Sequence, residues 1–255
     1  MANQLTTLFT GRQKIHLREV PSTNSYLSEM QRSERLTEGA AVVAEFQTHG
    51  RGQAGNQWQS DRGQNLLVTF VFYPTFLNIQ NVFLLNMGVA VALADFATEY
   101  LGEGVKLKWP NDLYYENRKL GGVLIENSIY DYQIRQAIIG IGVNVNQEIF
   151  SNELLNPASF KNITSINYDL MDVFNRLCNA LEHRYLQLRR GEFQQLREDY
   201  HKHLLRHGKW EWFETDSRKF KGMVMGVNAQ GRLMVQNEEG HTEHFDMKAI
   251  KYIFG

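Results

Sequence analysis

The chain has 255 residues, of which 43% are hydrophobic and 12% aromatic, enough apolar surface for a globular core. Its 27 Lys and Arg nearly balance 28 Asp and Glu, and the net charge of −1 argues against a protein built mainly to hold nucleic acid. Cys178 is the only cysteine, which excludes an internal disulfide and a thiolate metal cluster and favours a reducing, cytoplasmic compartment.

Membrane insertion is not expected from the hydropathy of the chain. No uninterrupted apolar stretch approaches the roughly 20 residues that a membrane span needs. The first residues also lack the basic and apolar regions of a secretory signal. The most apolar stretch, residues 82–96, is interrupted by Asn86 and Asp95 and is predicted to be a core helix.

Strands and helices follow one another irregularly over the first 208 residues. Apolar runs and alternation predict strands at residues 14–19, 40–47, 65–73, 105–109, 120–129 and 132–145. Helical spacing predicts one helix after the N-cap Ser22, one over residues 78–100, and two amphipathic helices between residues 170 and 207. Because strands and helices do not alternate strictly, we expect an α+β fold rather than a doubly wound sheet.

The composition changes after Gly208. From Lys209 onward the sequence shows only short strands, separated by turns that contain glycine. This spacing predicts a small β-barrel. We therefore expect two domains, residues 1–208 and residues 209–255.

A glycine-rich loop, GRGQAG at residues 50–55, matches the pattern of a dinucleotide-binding loop. That motif needs a helix directly after the glycines and an acidic residue about 20 positions later, and this chain has neither. A kinase-type phosphate loop is excluded because the other kinase motifs are missing. The loop remains open to two interpretations: backbone N–H groups and Arg51 that bind an anion, or a mobile surface loop with an incidental arginine.

A second polar cluster is formed by KWPNDL at residues 108–113 and RKLGG at residues 118–122. We predict one strand–turn–strand unit, with the tight turn at Asn111 and Asp112. Lys119 would then lie beside a buried strand, where an ammonium group is costly unless an anion or a carboxylate is its partner. A polar hairpin with ordinary surface charges is the alternative.

Two further signals are weak. His203 and His207 are four residues apart and could share a helix face, but no third metal ligand accompanies them, so a solvated helix face is favoured. Cys178 has apolar neighbours at helical spacing, which favours a core position over a nucleophile.

Taken together, these motifs closely resemble those of the biotin–protein ligases. The matching segments, in the order of that family, are STN (22–24), Gln47, GRG (50–52), Trp58, KWPNDL, RKLGG and GIGVNVN (140–146). The resemblance is strong over about residues 14–150 and loose over the C-terminal barrel. It implies a mixed, class II synthetase-like sheet flanked by helices, followed by an SH3-like barrel.

The resemblance also implies a two-step reaction with ATP and biotin as substrates. Biotin would be activated as biotinyl-5′-AMP and then transferred to a lysine of the biotin carboxyl carrier protein. Mg²⁺ would be held by the ATP phosphates, since the sequence shows no dedicated metal cage. The chemistry needs fixed cationic and N–H donors, which Arg51, the loop amides and Lys119 could supply. The loop from Gly50 to Gly63 would close over the adenylate and exclude water.

The family resemblance implies a role for each matching residue. The catalytic residues would be Lys119, Arg51 and Asp112, with Asp112 orienting the acceptor lysine and taking its proton. The biotin-binding residues would be Ser22, Thr23, Asn24, Gln47, Gly50, Arg51, Gly52, Gln53 and Lys119. The residues against ATP and the adenylate would be Arg51, Trp58, Asn111, Lys119, Gly142 and Asn144.

The chain also departs from the family pattern. Gln53 stands where many members have a second arginine, which puts tight retention of the adenylate in doubt. The loop at 152–167 has no tryptophan to stack on the adenine, and Phe160 is the candidate substitute. About 20 residues precede the STN motif, too few for a helix-turn-helix, so we expect a ligase that does not bind DNA.

Three questions remain open at this point. A lipoate–protein ligase or octanoyltransferase resembles the same fold, although its own signatures are not found. A biotin-sensing protein without chemistry is a second rival, but binding alone would not require both Arg51 and Lys119. The chain could be a monomer or a ligand-promoted homodimer.

Overall fold

A computed structural model describes residues 5–254, and its larger sheet is built from seven strands. These strands are β1 (Lys14–Leu17), β2 (Ala41–Ala44), β3 (Leu66–Phe72), β4 (Val105–Lys108), β5 (Asp112–Tyr115), β6 (Arg118–Tyr130) and β7 (Gln133–Val143). They lie in the order β1-β2-β3-β7-β6-β5-β4. The β1–β2 pair is parallel and every other neighbouring pair is antiparallel, so the sheet is mixed.

Helices cover both faces of this sheet. They are α1 (Thr23–Ser33), α2 (Val82–Leu101), α3 (Phe160–Thr164), α4 (Leu170–Arg189) and α5 (Phe193–His203). Side chains alternate along the strands, so Val42 and Val71 pack with Leu27 of α1, whereas Val43 and Phe70 join the larger core. That larger core is shared with α2 and α4. The predicted α+β fold with a mixed sheet and flanking helices is confirmed.

Helix α2 is the main internal helix. By length and mean hydropathy, the helical stretch Ile79–Gly104 could cross a membrane, although Asn86 and Asp95 interrupt its apolar run, as expected from the sequence. However, 67% of its most apolar window is buried inside the protein. The helix packs against α4, α5 and β4, which agrees with the predicted core helix.

A second sheet follows the helices. Its strands are β8 (Trp210–Glu214), β9 (Lys219–Val227), β10 (Leu233–Asn237), β11 (Thr242–Phe245) and β12 (Lys251–Tyr252), in the order β11-β10-β9-β8-β12. Phe213 and Val224 belong to the same hydrophobic cluster as Leu107 and Trp109 of the larger unit. The short strands after Lys209 are therefore present, while closure into a barrel and a boundary at Gly208 stay predictions.

Two weak sequence signals are resolved by the helices. Helix α5 ends at His203, so His207 lies outside it, and the prediction that these histidines could share a helix face is wrong. The ring of His207 instead stacks on that of His201, with 5.6 Å between centroids. Cys178 is fully buried in α4, and burial raises the pKa of its thiol, as expected for a core residue.

Candidate active site

A cavity of about 750 Å³ opens at one end of the larger sheet, where strands β6 and β7 meet the loop at residues 50–58. Residues 22–24 at the start of α1 form one side, and residues 108–112 form another. The C-terminal residues 247–252 complete the wall. This volume lies within the range of small-molecule sites, about 300–1,000 Å³.

Uncharged polar groups line one end of the cavity. Gln47 Oε1 accepts hydrogen bonds from Thr23 N at 2.7 Å and from Thr23 Oγ1 at 3.0 Å. Thr69 Oγ1 lies 2.8 Å from Thr23 Oγ1 and 2.7 Å from Asn24 Oδ1. Since the Gln47 oxygen is occupied, its amide nitrogen is the group that it can offer to a ligand.

The start of α1 is held in place by the sheet. Ser22 is the N-cap of α1 and is buried, so Thr23 and Asn24 lie in the first helical turn. Asn24 packs directly over Gly140 of β7, where a Cβ atom would come within 2.0 Å of Asn24 Oδ1. A glycine is therefore required at residue 140 for this approach.

The loop at residues 50–58 folds back on itself above the cavity. Gly52 N donates to Asn56 O at 2.7 Å, and Trp58 N donates to Gly50 O at 2.9 Å. A short 3₁₀ turn at Gln53–Gly55 forms its tip. Gly50 does not line the cavity, and a Cβ there would come within 2.4 Å of the Trp58 carbonyl oxygen.

Trp58 closes this loop onto the sheet. Its indole ring lies against Gly142 of β7, where a Cβ would come within 2.6 Å of the ring, and it is also close to Gly122 of β6. Two facing glycines thus leave a flat area of backbone that accepts a large aromatic side chain. Trp58 Nε1 is buried and has no hydrogen-bond partner within residues 5–254.

Charged groups line the other end of the cavity. Lys119 Nζ lies 2.7 Å from Asp112 Oδ1, and Lys108 Nζ lies 3.9 Å from Asp112 Oδ2. The half-buried Lys119 thus has the carboxylate partner that the sequence required. Burial lowers the pKa of Lys108, and nearby Lys119 and Arg206 lower it further, although Asp112 acts in the opposite direction.

Positive charge dominates the cavity lining. Of the described residues that line it, the cations are Arg51, Lys108, Lys119, Lys248 and Lys251, whereas Asp112 is the one carboxylate. A concave surface with this excess concentrates anionic ligands. Arg51 and Lys119 are partnered separately, since the Arg51 guanidinium pairs with Glu126 at 2.7 Å.

A second cavity of about 500 Å³ adjoins the first. Trp58, Asp112 and Lys119 line both cavities, and Asn144 lines only the second. The Asn144 side chain donates to Ala158 O at 3.0 Å, which ties β7 to the segment before α3. Phe150 also lines this cavity.

Phe160 is not available to stack on a nucleotide. It is fully buried and packs against Phe96, Tyr100 and Tyr168 in the core. The prediction that Phe160 takes the place of an adenine-stacking tryptophan is therefore wrong, because Phe160 is the first residue of α3 and its side chain points into the core. The aromatic side chains that line the second cavity are Trp58, Tyr114 and Phe150.

Most residues singled out from the sequence line one of these two cavities. In the first cavity are Ser22, Thr23, Asn24, Gln47, Arg51, Gly52, Gln53, Trp58, Asn111, Asp112, Lys119 and Gly142. Sequence reasoning did not assign roles to Thr69, Lys108, Glu126 or residues 247–252. Only Lys108 carried a signal, since it opens the KWPNDL motif. Across residues 5–254, no group of three or more His, Cys, Asp or Glu side chains is placed to hold a metal ion.

Comparison with known proteins agrees with this geometry. The family model of the "Biotin/lipoate A/B protein ligase family" matches residues 17–144, which is half of the chain. The matched region includes the GRGQAG loop at residues 50–55 and the RKLGG motif at residues 118–122. The chain belongs to this family. Its members' shared region thus spans α1, the loop at residues 50–58 and strands β2 to β7.

Individual relatives in the family extend the match. The bifunctional ligase/repressor BirA of Bacillus spizizenii is 28% identical over 239 residues, covering 92% of this chain and 73% of that protein. The biotin–[acetyl-CoA-carboxylase] ligase of Mycobacterium tuberculosis is 27% identical over 220 residues, covering 83% of this chain and 79% of that protein. The solved biotin protein ligase of Aquifex aeolicus, in complex with biotin and ATP, has a TM-score of 0.78 at 24% identity. That alignment covers 95% of this chain and 100% of the other, and it shows a shared fold.

Proposed function

We propose that this enzyme is an ATP-dependent biotin–protein ligase, which activates biotin as biotinyl-5′-AMP and transfers it to a lysine of the biotin carboxyl carrier protein. One observation carries the proposal: a single cavity joins an uncharged hydrogen-bonding end, around Thr23 and Gln47, to a strongly cationic end. Biotin has the same polarity, with a neutral ureido ring at one end and a carboxylate at the other. The names of the curated relatives support the same activity.

In the first step the biotin carboxylate attacks the α-phosphorus of ATP, the bond from that phosphorus to pyrophosphate breaks, and biotinyl-5′-AMP forms. Both reactants are anions, so their approach needs fixed positive charge. The Lys119 ammonium has three N–H donors and uses one on Asp112, which leaves two for the carboxylate and the phosphate. Arg51 contributes a further fork of donors from the loop.

In the second step the acceptor lysine attacks the carbonyl carbon of the mixed anhydride, an amide forms and AMP leaves. The attacking amine loses a proton, and its unperturbed pKa near 10.4 makes a nearby acceptor useful. Asp112 Oδ1 is engaged by Lys119, whereas Oδ2 is 3.9 Å from Lys108 and is the freer oxygen. We assign proton acceptance to Asp112 Oδ2.

The adenylate must be protected from water between the two steps. Residues 51–53 and 56–58 line the cavity, and Trp58 packs on Gly142. Closure of the whole loop at residues 50–63 over the adenylate would exclude water. Asn111, Trp58, Gly142 and Asn144 would lie against the nucleotide. Mg²⁺ would be carried by the ATP phosphates, because the described residues offer no cluster of metal ligands.

The remaining assignments belong to the same proposal. The catalytic domain is residues 1–208, with a class II synthetase-like sheet, and residues 209–255 form an SH3-like barrel. The partner is a biotin carboxyl carrier protein, and the compartment is the cytoplasm. The ligase acts as a monomer or as a ligand-promoted homodimer. No binding to DNA or membranes is expected.

Adenylate formation tests the function directly. The protein is incubated with ATP, Mg²⁺ and one of three acids, biotin, lipoate or octanoate, and acid-dependent exchange of labelled pyrophosphate into ATP is measured. We expect exchange with biotin only. Preference for lipoate or octanoate would contradict the proposed substrate, and the absence of exchange with every acid would contradict the proposed reaction.

The Lys119→Ala variant tests the assignment of the site. We expect biotin-dependent exchange to fall by at least a hundredfold, on the scale of losing one transition-state donor, while the circular dichroism spectrum is retained. Lys161→Ala is the matched control, because Lys161 also lies 2.7 Å from a single carboxylate, that of Glu148, but outside both cavities. Unchanged exchange in Lys119→Ala would refute the role of Lys119.

A further inference from the structure

Glu126 of β6 connects the loop at residues 50–58 to the uncharged end of the cavity. Its two oxygens accept from Arg51, with Nη2 to Oε1 at 2.7 Å and Nη1 to Oε2 at 3.2 Å. Oε2 also accepts from Asn24 Nδ2 at 3.0 Å. The carboxylate thus bridges two residues that come from the loop and from α1.

This ion pair differs from an ordinary surface pair. An isolated exposed pair contributes about 0–1 kcal/mol, because two long side chains must be ordered in water. Here Asn24 is 3% exposed, and its own oxygen lies 2.7 Å from Thr69 Oγ1, so one end of the bridge is already fixed. The two-pronged contact then fixes the plane of the Arg51 guanidinium.

Counting donors shows what Arg51 has left for a ligand. A guanidinium carries five N–H groups in a rigid fork. One on Nη1 and one on Nη2 are directed to Glu126, and Nη1 also lies 3.4 Å from Ser25 Oγ. The remaining donors belong to a side chain that lines the cavity and is held in one orientation.

We propose that Glu126 is a positioning residue that holds Arg51 in the orientation in which it binds biotin. This inference rests on the proposed ligase function. A positioning role and simple charge neutralisation predict opposite changes in anion binding when the Glu126 carboxylate is removed. If Glu126 only neutralised Arg51, its removal would strengthen anion binding. If Glu126 positions Arg51, removing the Glu126 carboxylate weakens binding, because the Arg51 side chain must then be ordered when the ligand binds.

The Glu126→Gln variant separates these two effects, because glutamine keeps the shape and an acceptor for Asn24 but loses the charge. In pyrophosphate exchange, we expect KM for biotin to rise about tenfold while kcat stays within about twofold, the pattern of lost uniform binding. Glu243→Gln is the matched control: it breaks an exposed pair with Arg218 in the second sheet, with side-chain exposure of 47% and 36% against 45% and 35% for Arg51 and Glu126.

Trypsin cleavage provides a readout that does not depend on the reaction. Without Glu126 the loop loses its ion pair with β6, so cleavage after Arg51, giving fragments of residues 1–51 and 52–255, should be at least fivefold faster than in the wild type. In the Arg51→Ala background, Glu126→Gln should not raise KM further, since the partner is already absent.

The outcomes are distinct from those of the proposed function. A wild-type enzyme without biotin-dependent exchange would refute the function, whatever happens to the trypsin pattern. With exchange present, an unchanged or lower KM in Glu126→Gln would refute the positioning role. An equal rise in KM in the Arg51→Ala background would also refute it, because Glu126 would then act without Arg51.

Discussion

Two glycines on β7 determine which side chains can lie over the sheet. Gly140 and Gly142 are two residues apart and therefore face the same side. A Cβ at residue 140 would displace Asn24, whereas a Cβ at residue 142 would displace Trp58. Each position can thus be perturbed by one methyl group without adding charge.

The variants Gly140→Ala and Gly142→Ala serve as controls for each other. We expect Gly140→Ala to raise KM for biotin about tenfold, which is about 1.4 kcal/mol of binding, with less effect on KM for ATP. Gly142→Ala should raise KM for ATP more than KM for biotin, because Trp58 closes the nucleotide side of the cavity in the proposed arrangement. Steady-state exchange kinetics with each substrate varied in turn would measure both. Equal effects on both substrates would contradict this division of the cavity.

At the residue scale, the sequence predicted positions whose chemistry is local. Lys119 needed an anionic partner beside a buried strand, and Asp112 is that partner. Glu126 could not be predicted in the same way, because its partner Arg51 lies 75 residues earlier and meets it only through the pairing of β6 with β7 and the fold of the loop. Phe160 was assigned wrongly since a phenylalanine in a loop-like segment gives no indication of which way it points.

At the element scale, the loop at residues 50–58 carries the clearest departure from the family pattern. Gln53 Nε2 lies 2.9 Å from Met247 Sδ, so the loop tip touches the C-terminal wall of the cavity. An arginine at this position adds a cation beside a phosphate-binding cavity. We expect Gln53→Arg to slow dissociation of biotinyl-5′-AMP about fivefold through this added attraction.

Dissociation of the adenylate can be followed by chasing the labelled intermediate with an excess of unlabelled biotin and ATP. Gln194→Arg adds the same charge on the exposed side of α5, outside both cavities, and should leave the rate unchanged. An equal rate for Gln53→Arg and the wild type would remove the argument that a second arginine retains the adenylate.

Elements with a clear apolar pattern were predicted, including the four-residue strands β1, β2 and β4, but the equally short β5 was not. Helix α2 was expected at residues 78–100 and is observed at Val82–Leu101, since most of its twenty residues are apolar and give a clear pattern. The four-residue strand β5 was placed inside a turn, because Asp112 at its start favours turns. Its strand conformation depends on pairing with β4 on one side and β6 on the other.

At the scale of the whole molecule, the second sheet completes the site. Residues 247–252 line the cavity, and Lys108 Nζ lies 5.3 Å from the centre of the Tyr252 ring. Trp109 Nε1 also donates to Gly231 O at 2.9 Å, which joins β4 to the turn before β10. The cationic end of the cavity is therefore shaped by both sheets.

Arg206 is a further polar link between these parts of the chain. It is 8% exposed, and its guanidinium donates to Trp212 O and, at 2.7 Å, to Ile253 O. It also lies over the rings of Phe213, Tyr252 and Phe254. Because Tyr252 contacts both Arg206 and Lys108, loosening the last strand should disturb the cavity.

The Arg206→Met variant keeps most of the apolar volume and removes two charge-assisted hydrogen bonds. We expect the free energy of unfolding to fall by about 2–4 kcal/mol in urea titration, and KM for ATP to rise about fivefold, or about 1 kcal/mol. Arg218→Met is the control in the same sheet: its guanidinium pairs with Glu243 and covers Phe220 but is 47% exposed, so its loss should cost about 1 kcal/mol or less and leave KM unchanged. A lower stability of Arg206→Met with an unchanged KM for ATP would mean that the second sheet stabilises the fold without shaping the nucleotide site.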